Sequence, residues 1–368
     1  MAKYEWEHAI RINILILKLV GLWPQENESY KFSVYTFYAI ISINLFINGH
    51  NFFQTMNIFV VYSDLDALIA TIFITITDVL ASVKVYYFAR NMGQLKKLMI
   101  KLNSKVFQPK SDKQIILVKP SLFSWKLTYI AFWTPVGTTL FLWAIFPIMD
   151  GSVKEYRLPF SAWYPYNTKI SPWYEFTYMY QVASIWFLAT ANLNMDTLIA
   201  ALMMYVGAQC DILCDDVRNL SSCFAGEFTE KLVTCIQHHR TIVKFAENCN
   251  KFFSLIVLGQ FFTSAVTIGL AMFRLTLVAP TSSEAFSLLF YVGSMTVQIF
   301  LYCWFGNEVE LKVRIEKNNI QDDFFVTIQS QTCHLYTIFD QKLSYLFFLI
   351  FGSDYFPKFV CIICKVCQ

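Results

Sequence analysis

The sequence predicts an all-α membrane protein that crosses the bilayer several times, and three features of its composition support this fold class. Of its 368 residues, 56% are hydrophobic, 18% are aromatic and only 15% are charged. A soluble domain carries about a quarter charged residues. The 36 phenylalanines and 20 tyrosines would leave large apolar patches on a water-soluble fold of this length. The length alone would allow two or three soluble domains, but the composition favours one helical membrane domain.

Six segments are long and apolar enough to be transmembrane helices, since a span needs roughly 20 mostly apolar residues. They cover residues 32–52, 66–88, 127–149, 175–205, 252–278 and 285–305. Residues 343–364 form a weaker seventh candidate, because Asp354, Pro357 and Lys358 interrupt this segment. A charge at the centre of a span costs about 3 kcal/mol on insertion scales.

Residues 1–31 precede the first span and carry eight charged side chains. The longest apolar run in this segment covers residues 13–23 and is interrupted by Lys18. Such a run is too short to cross a bilayer and too charged for the core of a signal peptide. We expect a cytoplasmic segment that holds an amphipathic helix at the membrane surface, with a cleaved targeting segment as the alternative.

Basic residues predict the orientation of the spans. The loop after the second span, residues 89–126, holds nine Lys and Arg residues against one acid, Asp112, whereas residues 53–65 hold no Lys or Arg. Because basic loops stay in the cytoplasm, this loop and the N-terminus are predicted to be cytoplasmic. A rhodopsin-like G-protein-coupled receptor, with its N-terminus outside, has the opposite orientation.

Two connecting segments are long. Residues 206–251 place apolar side chains near helical spacing and are predicted to form a cytoplasmic helical extension of the fourth and fifth spans. The other segment, residues 150–174, lies on the opposite side and is rich in Trp, Tyr and Pro. It is interpreted either as an aromatic belt at the membrane surface or as a lid over a pocket.

No motif indicates an enzyme or a bound cofactor. The formal net charge of +3 is too small to indicate a nucleic-acid partner. All ten cysteines lie at or after residue 210, which is more typical of reduced thiols than of a disulfide framework. Three of them, Cys361, Cys364 and Cys367, repeat every third residue, but no fourth ligand lies nearby, so no metal site is predicted.

Aromatic and small residues are dense in the predicted outer halves of the spans. An apolar concavity with a few hydroxyl groups is the usual site for a small hydrophobic ligand. The candidate ligand-contacting residues are Phe73, Gly137, Phe141, Trp143, Tyr178, Met179, Tyr180 and Tyr291. For any one of these residues, lipid contact or core packing is the alternative role.

Several stretches resemble insect odorant receptors, and specifically their ligand-tuning subunits rather than the shared co-receptor. The most specific is residues 298–309, Gln-Ile-Phe-Leu-Tyr-Cys-Trp-Phe-Gly-Asn-Glu-Val, which is similar to the end of the family's penultimate helix. Four further stretches match in order and spacing: residues 19–24, residues 158–166, residues 171–181 and residues 232–264. The resemblance therefore extends from the N-terminus to about residue 310.

The resemblance implies seven helices with an intracellular N-terminus and a non-selective cation channel formed with the odorant receptor co-receptor. It also implies that volatile ligands bind in the outer halves of the helices and that the last helix lines the pore. For this chain we therefore expect a multi-pass protein of the plasma membrane, in the dendrite of an olfactory sensory neuron. The alternatives are a gustatory-type chemoreceptor, which shares the topology, and a G-protein-coupled receptor.

The segment 306–368 departs from the family's usual ending beyond Val309. It continues into a Cys-rich tail that does not match the family's final span. One hypothesis is that a retained intron or misjoined exon replaced the pore helix, which would spare ligand binding but not conduction. The other is a divergent but functional seventh span.

Overall fold

The computed structural model describes residues 4–24, 33–222, 225–280 and 282–323. Within these ranges every regular element is helical, which confirms the all-α class. The weak seventh span, 343–364, the three C-terminal cysteines and most of segment 306–368 lie outside the described residues.

Eight α-helices make up the described part of the chain. They are α1 (Arg11–Val20), α2 (Val34–Ser42), α3 (Gly49–Val61), α4 (Leu65–Leu102), α5 (Asp112–Met149), α6 (Trp173–Arg218), α7 (Ala225–Leu277) and α8 (Ser283–Asp323). A π-helical segment, Ile43–Asn48, joins α2 to α3, so helical backbone runs continuously from residue 34 to residue 61. Short 3₁₀ turns occupy Trp6–His8, Lys105–Phe107, Ser152–Glu155 and Asn219–Ser222.

Five of these helices, α4 to α8, are long and apolar enough to cross a membrane. They contain five of the six predicted spans. The remaining predicted span, 32–52, falls on α2, the π-helical segment and the start of α3. Helix α8 also continues through Gly306, Asn307 and Glu308, so these polar residues do not end the helix.

Helix α3 has its polar side chains inside and its apolar side chains outside. Its buried residues are His50, Asn51, Gln54 and Asn57. Its outer face includes Phe52 and Phe59, which are 55% and 69% exposed. In water this arrangement would be unfavourable, since apolar surface is exposed and polar groups are desolvated. It is the arrangement expected of a helix that faces lipid, and it supports a membrane location for the stretch 34–61.

Helix α6 is the central element of the bundle and packs against α1, α4, α5, α7 and α8. All residues from Leu193 to Cys210 are buried. At 1.5 Å per residue, its 46 residues reach about 69 Å, more than twice the ~30 Å hydrocarbon thickness of a bilayer. A large part of α6 must therefore lie outside the membrane. Helix α7, with 53 residues, is longer still and packs against α6, so part of it lies outside the membrane too. The assignment of that part to the cytoplasm stays a prediction.

The N-terminal segment packs onto α6 through side-chain hydrogen bonds. Asn13 of α1 donates its amide to the Asn194 carbonyl and to the Thr197 hydroxyl, at 2.9 and 2.7 Å. Tyr205 donates to the Trp6 carbonyl at 2.8 Å. Helix α1 is thus part of the helical core along one face, while Ile12 and Leu15 on its other face are exposed.

Glycine is required at the end of α1. Gly21 has φ of +88°, and a Cβ built on it would lie 2.8 Å from the Cα of Ala39 in α2. Both the left-handed conformation and the close backbone approach exclude a larger side chain without strain. The turn therefore brings α2 directly against the end of α1.

A buried ion pair joins α4 to α6 in the middle of the bundle. Lys84 Nζ lies 2.7 Å from Asp196 Oδ1, and their side chains are 1% and 0% exposed. Lys84 also donates to Asn192 Oδ1 at 2.9 Å. From α8, Tyr302 donates to Asp196 at 2.6 Å and Gln298 donates to the second carboxylate oxygen.

Replacing Lys84 by Met should destabilise the protein, because it leaves the Asp196 carboxylate buried without its cation. Removing one partner of a buried pair costs roughly 3–5 kcal/mol, whereas replacing both partners by apolar groups can be nearly neutral. We expect a lower midpoint of thermal unfolding for the purified Lys84→Met variant in detergent. The double variant Lys84→Met/Asp196→Leu should recover part of that loss.

The control is Lys231→Met, which removes an exposed ion pair with Glu227 one turn away on α7. Exposed pairs contribute little to stability, so this midpoint should not move. A Lys84→Met protein as stable as the native chain would show that the buried pair does not hold the bundle together.

Candidate functional site

Four aromatic side chains meet near the end of the bundle that carries the 150–172 loop. They are Phe73 of α4, Trp143 of α5, Phe160 of the loop and Tyr291 of α8, called here the aromatic cluster. Its ring centroids lie 5.4 Å apart for Phe73–Tyr291, 5.6 Å for Trp143–Tyr291 and 5.2 Å for Trp143–Phe160. These spacings are those of favourable edge-to-face and offset contacts, each worth about 0.5–1.5 kcal/mol beyond burial.

Helix lengths explain why these rings meet. Phe73 lies eight residues after the start of α4, Tyr291 eight after the start of α8, and Trp143 six before the end of α5. At 1.5 Å per residue, all three lie about 9–12 Å inside their helix ends. The three helices begin or end on the same side of the bundle, so their rings reach the same depth.

A hydrogen bond orients the ring of Tyr291. Its hydroxyl lies 2.8 Å from the Thr77 hydroxyl of α4, and both side chains are buried. The Thr77 hydroxyl also bonds the Phe73 carbonyl at 3.2 Å. A buried hydroxyl without a partner costs about 1–3 kcal/mol, so this contact holds Tyr291 against α4 at a defined angle.

The loop contributes Phe160 because its backbone is held by one side chain of α6. Gln181 accepts from the Phe160 N–H at 3.1 Å and donates to the Phe160 carbonyl at 3.0 Å. The same amide donates to the Tyr164 hydroxyl at 3.2 Å. The Trp163 N–H donates to the Phe53 carbonyl of α3 at 3.0 Å. This part of the loop is therefore a wall of the aromatic cluster.

The segment 150–174 has features of both predicted roles, a lid over a pocket and an aromatic belt at the membrane surface. Phe160 and Tyr164 are buried against the helices, as a cover over a site would be. Trp163, Tyr166 and Trp173 are exposed, as members of an interfacial belt would be. Different residues of the same loop thus face the core and the surroundings.

Apolar side chains surround the aromatic cluster. Ile74, Val136 and Leu140 line the side next to Trp143, and Leu288 and Met295 line the side next to Tyr291. Gly137 lies on α5 between Val136 and Leu140, and a Cβ built on it meets no other atom within 4 Å. The surroundings are apolar and, in the described part of the chain, present no metal-binding group of His, Cys, Asp or Glu side chains.

The structure brings together three of the eight candidate residues, Phe73, Trp143 and Tyr291. Phe141 and Met179 lie on the outer surface of the bundle, 56% and 68% exposed. Gly137 lies beside the cluster. The remaining two candidates, Tyr178 and Tyr180 of α6, bond neighbouring helical segments: the Tyr178 hydroxyl donates to the Ala144 carbonyl of α5, and the Tyr180 hydroxyl donates to the Leu45 carbonyl of the π-helical segment, each at 2.7 Å.

Sequence reasoning missed Phe160, Thr77, Gln181 and His50, whose ring lies edge-on to Phe160 at 6.0 Å. One pattern could have identified part of this set. His50, Gln54 and Asn57 are spaced by four and three residues within an apolar stretch, which places three polar side chains on one helical face. Nothing in the sequence indicates that Gln181 holds Phe160, because the two lie 21 residues apart on different elements.

Comparisons with known proteins agree on one family. A family model described as 7tm Odorant receptor matches residues 64–314. Odorant receptor Or1 of Anopheles gambiae is 24% identical over 336 residues, covering 83% of this chain and 79% of that receptor. Odorant receptor 46a, isoform A, of Drosophila melanogaster is 22% identical over 300 residues, covering 80% and 77%.

The fold is similar to that of a solved structure, the insect olfactory receptor OR5 from Machilis hrabei. The TM-score is 0.74 at 19% identity, covering 91% of this chain and 90% of that one. The same receptor in complex with eugenol gives a TM-score of 0.73 at 18% identity. At this level of identity the likeness establishes the helical arrangement.

Replacing Gln181 by Met should loosen the loop around Phe160, because Met fills the space of Gln but cannot bond either backbone group. Each buried group left unpaired costs about 1–3 kcal/mol. We expect amide hydrogen exchange across residues 157–166 to become at least tenfold faster in the purified variant. The matched control is Tyr180→Phe, which loses a hydrogen bond one residue away but does not contact Phe160. Unchanged loop exchange in Gln181→Met would mean that other contacts hold the loop.

Proposed function

Because the chain belongs to the insect odorant receptor family, we propose that it binds small apolar volatile molecules at the aromatic cluster. We further propose that it gates a non-selective cation channel together with the odorant receptor co-receptor. The observation that carries the proposal is the cluster itself. Aromatic rings from three helices and a loop meet inside a bundle whose family is known for detecting odorants.

The chemistry of the cluster suits such ligands. Apolar rings bind a small hydrophobic molecule through burial and stacking, at about 25 cal/mol per Å² of apolar surface removed from water. A neighbour with the same fold is solved in complex with eugenol, a small molecule with an aromatic ring.

Binding at the cluster has a route to the rest of the bundle. Tyr291 lies on α8, the same helix as Gln298 and Tyr302, which bond the buried Asp196 carboxylate. A ligand that shifts Tyr291 therefore acts on a helix fixed to α4 and α6 by the ion pair. We propose that this shared helix transmits ligand binding to the channel.

The placement in the cell follows from the same proposal. The receptor is proposed to be a multi-pass protein of the plasma membrane in olfactory sensory neuron dendrites. The continuous helical stretch of α2 and α3 is proposed as a sixth span beside the five candidate spans α4 to α8. Its N-terminus is cytoplasmic, which the nine basic residues of the 89–126 loop support.

The first test is whole-cell current in cells that co-express this chain with an insect co-receptor, across a panel of volatile compounds and with G-protein signalling blocked. We expect a fast inward cation current above that of the co-receptor alone. Silence with verified surface expression would contradict the channel proposal for this chain and direct attention to residues 306–368.

Replacing Trp143 by Ala should raise the half-maximal odorant concentration about tenfold. The variant removes the ring on which the ligand is proposed to stack, a contact worth about 0.5–1.5 kcal/mol beyond the apolar area that it buries, and 1.4 kcal/mol corresponds to a factor of ten. The control is Phe141→Ala, two residues away on the exposed face of α5, which should shift that concentration less than threefold. Equal shifts for the two variants, at equal surface expression, would place the ligand elsewhere.

An epitope placed before Met1 should be stained by antibody only after the cells are permeabilised, because the N-terminus is proposed to be cytoplasmic. A second epitope, inserted in the 150–172 loop, serves as the control and should be stained on intact cells. Staining of the N-terminal epitope on intact cells would favour the G-protein-coupled alternative.

A further inference from the structure

Three buried polar side chains lie beside the aromatic cluster, and the proposed odorant site does not account for them. They are His50 and Gln54 of α3 and Asp78 of α4, called here the polar patch. Their exposures are 0%, 2% and 3%. A buried polar group in an apolar bundle is costly, so each needs a physical reason for being there.

Several atoms of the polar patch have no hydrogen-bond partner among the protein's own groups. These are both ring nitrogens of His50, Oε1 of Gln54 and Oδ2 of Asp78. His50 Nε2 and Asp78 Oδ2 lie 3.9 Å apart, which is too far for a direct hydrogen bond. A separation of 3.9 Å is short enough for one oxygen atom to lie about 2.8 Å from both.

The neighbouring Asn51 holds α3 against α4 through its amide nitrogen, while its Oδ1 has no hydrogen-bond partner. Asn51 donates its amide to the Asp78 carbonyl at 2.8 Å and to the Ser82 hydroxyl at 2.5 Å. These bonds fix the register that places His50 opposite Asp78. The polar patch is thus a rigid feature of the α3–α4 contact.

The polar patch borders the aromatic cluster at two points. The His50 ring is edge-on to Phe160, with centroids 6.0 Å apart and planes at 89°. Asp78 directly follows Thr77, whose hydroxyl bonds Tyr291. Asp78 also lies about one helical turn deeper than Phe73. A molecule lying on the cluster could therefore point a polar atom at the patch.

We propose that the polar patch binds the hydroxyl group of the ligand, so that this receptor selects alcohols or phenols with a small apolar body. The inference rests on the proposed function, since it assigns the ligand's polar end within the same site. A hydroxyl oxygen accepts from the N–H of the His50 ring. Its hydrogen is donated to Asp78 Oδ2 or to Gln54 Oε1.

Other functional groups match the polar patch less well. The unpaired carboxylate and amide oxygens are acceptors, so a carbonyl or ether oxygen leaves them without a donor. A hydrocarbon leaves both His50 ring nitrogens, Gln54 Oε1 and Asp78 Oδ2 without a partner. A site built to bond a ligand hydroxyl rejects the analogue without it far more strongly than an apolar wall rejects a missing methylene.

The test compares matched compounds on the purified full chain in lipid nanodiscs. The probes are 2-phenylethanol, its methyl ether, 2-phenylethylamine and ethylbenzene, together with the same four groups on hexyl and cyclohexyl bodies. The measured quantity is the ligand-induced rise in unfolding temperature as a function of concentration, which reports affinity without requiring a channel. We expect each alcohol that binds to do so at least tenfold more tightly than the ether, hydrocarbon or amine of the same body.

Two variants assign that preference to the polar patch. His50→Phe and the isosteric Asp78→Asn should each reduce the preference for alcohol over ether to less than threefold, while binding of the hydrocarbons persists. The control is Asn57→Leu, a buried polar residue two turns further along α3 that bonds Thr71. This variant should keep the preference of the native chain.

The outcomes separate the two proposals. Binding without a preference for alcohols, a stronger preference for amines, or a preference that survives in both patch variants overturns the role of the patch and leaves odorant binding standing. A chain that binds none of the twelve compounds overturns both proposals.

Discussion

The ion pair between Lys84 and Asp196 is the constraint on which the rest of the bundle depends. Both charges are buried in a region with no bulk water, where an unpaired charge is among the costliest arrangements a protein can hold. Tyr302 and Gln298 complete the contacts of the carboxylate, and Gln298 in turn accepts from Gln260 at 2.8 Å. Four helices, α4, α6, α7 and α8, are thereby held in one arrangement.

The aromatic cluster, proposed as the odorant site, takes Phe73 and Tyr291 from two of these helices. Thr77 and Lys84 lie seven residues apart on α4, as do Tyr291 and Gln298 on α8. Seven residues are two helical turns, or about 10 Å. Thr77 therefore lies on nearly the same face of α4 as Lys84, and Tyr291 on nearly the same face of α8 as Gln298. The Thr77–Tyr291 hydrogen bond and the ion-pair network are therefore two successive connections between the same parts of the bundle.

Composition and hydropathy predict much of the fold but only part of the site. The sequence places Phe73, Trp143 and Tyr291 at a similar depth because depth along a span can be estimated from its ends, and the three rings lie together in the structure. The direction in which a side chain points around the helix axis cannot be estimated from the sequence, since apolar residues occur on every face of a membrane helix. For this reason the candidate residues include Phe141 and Met179, which lie on the outer surface of the bundle. Phe160 was missed because its position depends on Gln181 of another element. The polar face of α3 was the one overlooked pattern that the sequence itself contains.

The ion pair also has a consequence for how the receptor is made. Before the two residues pair, each charge raises the free energy of inserting its own helix into the bilayer by about 3 kcal/mol at the centre of a span. Lys84 leaves the ribosome 112 residues ahead of Asp196. The earlier helix therefore remains poorly accommodated in lipid until α6 is inserted beside it. Correct pairing of the two helices thus removes an energetic cost during synthesis. A chain that fails to pair them exposes a charge that cellular quality control can recognise.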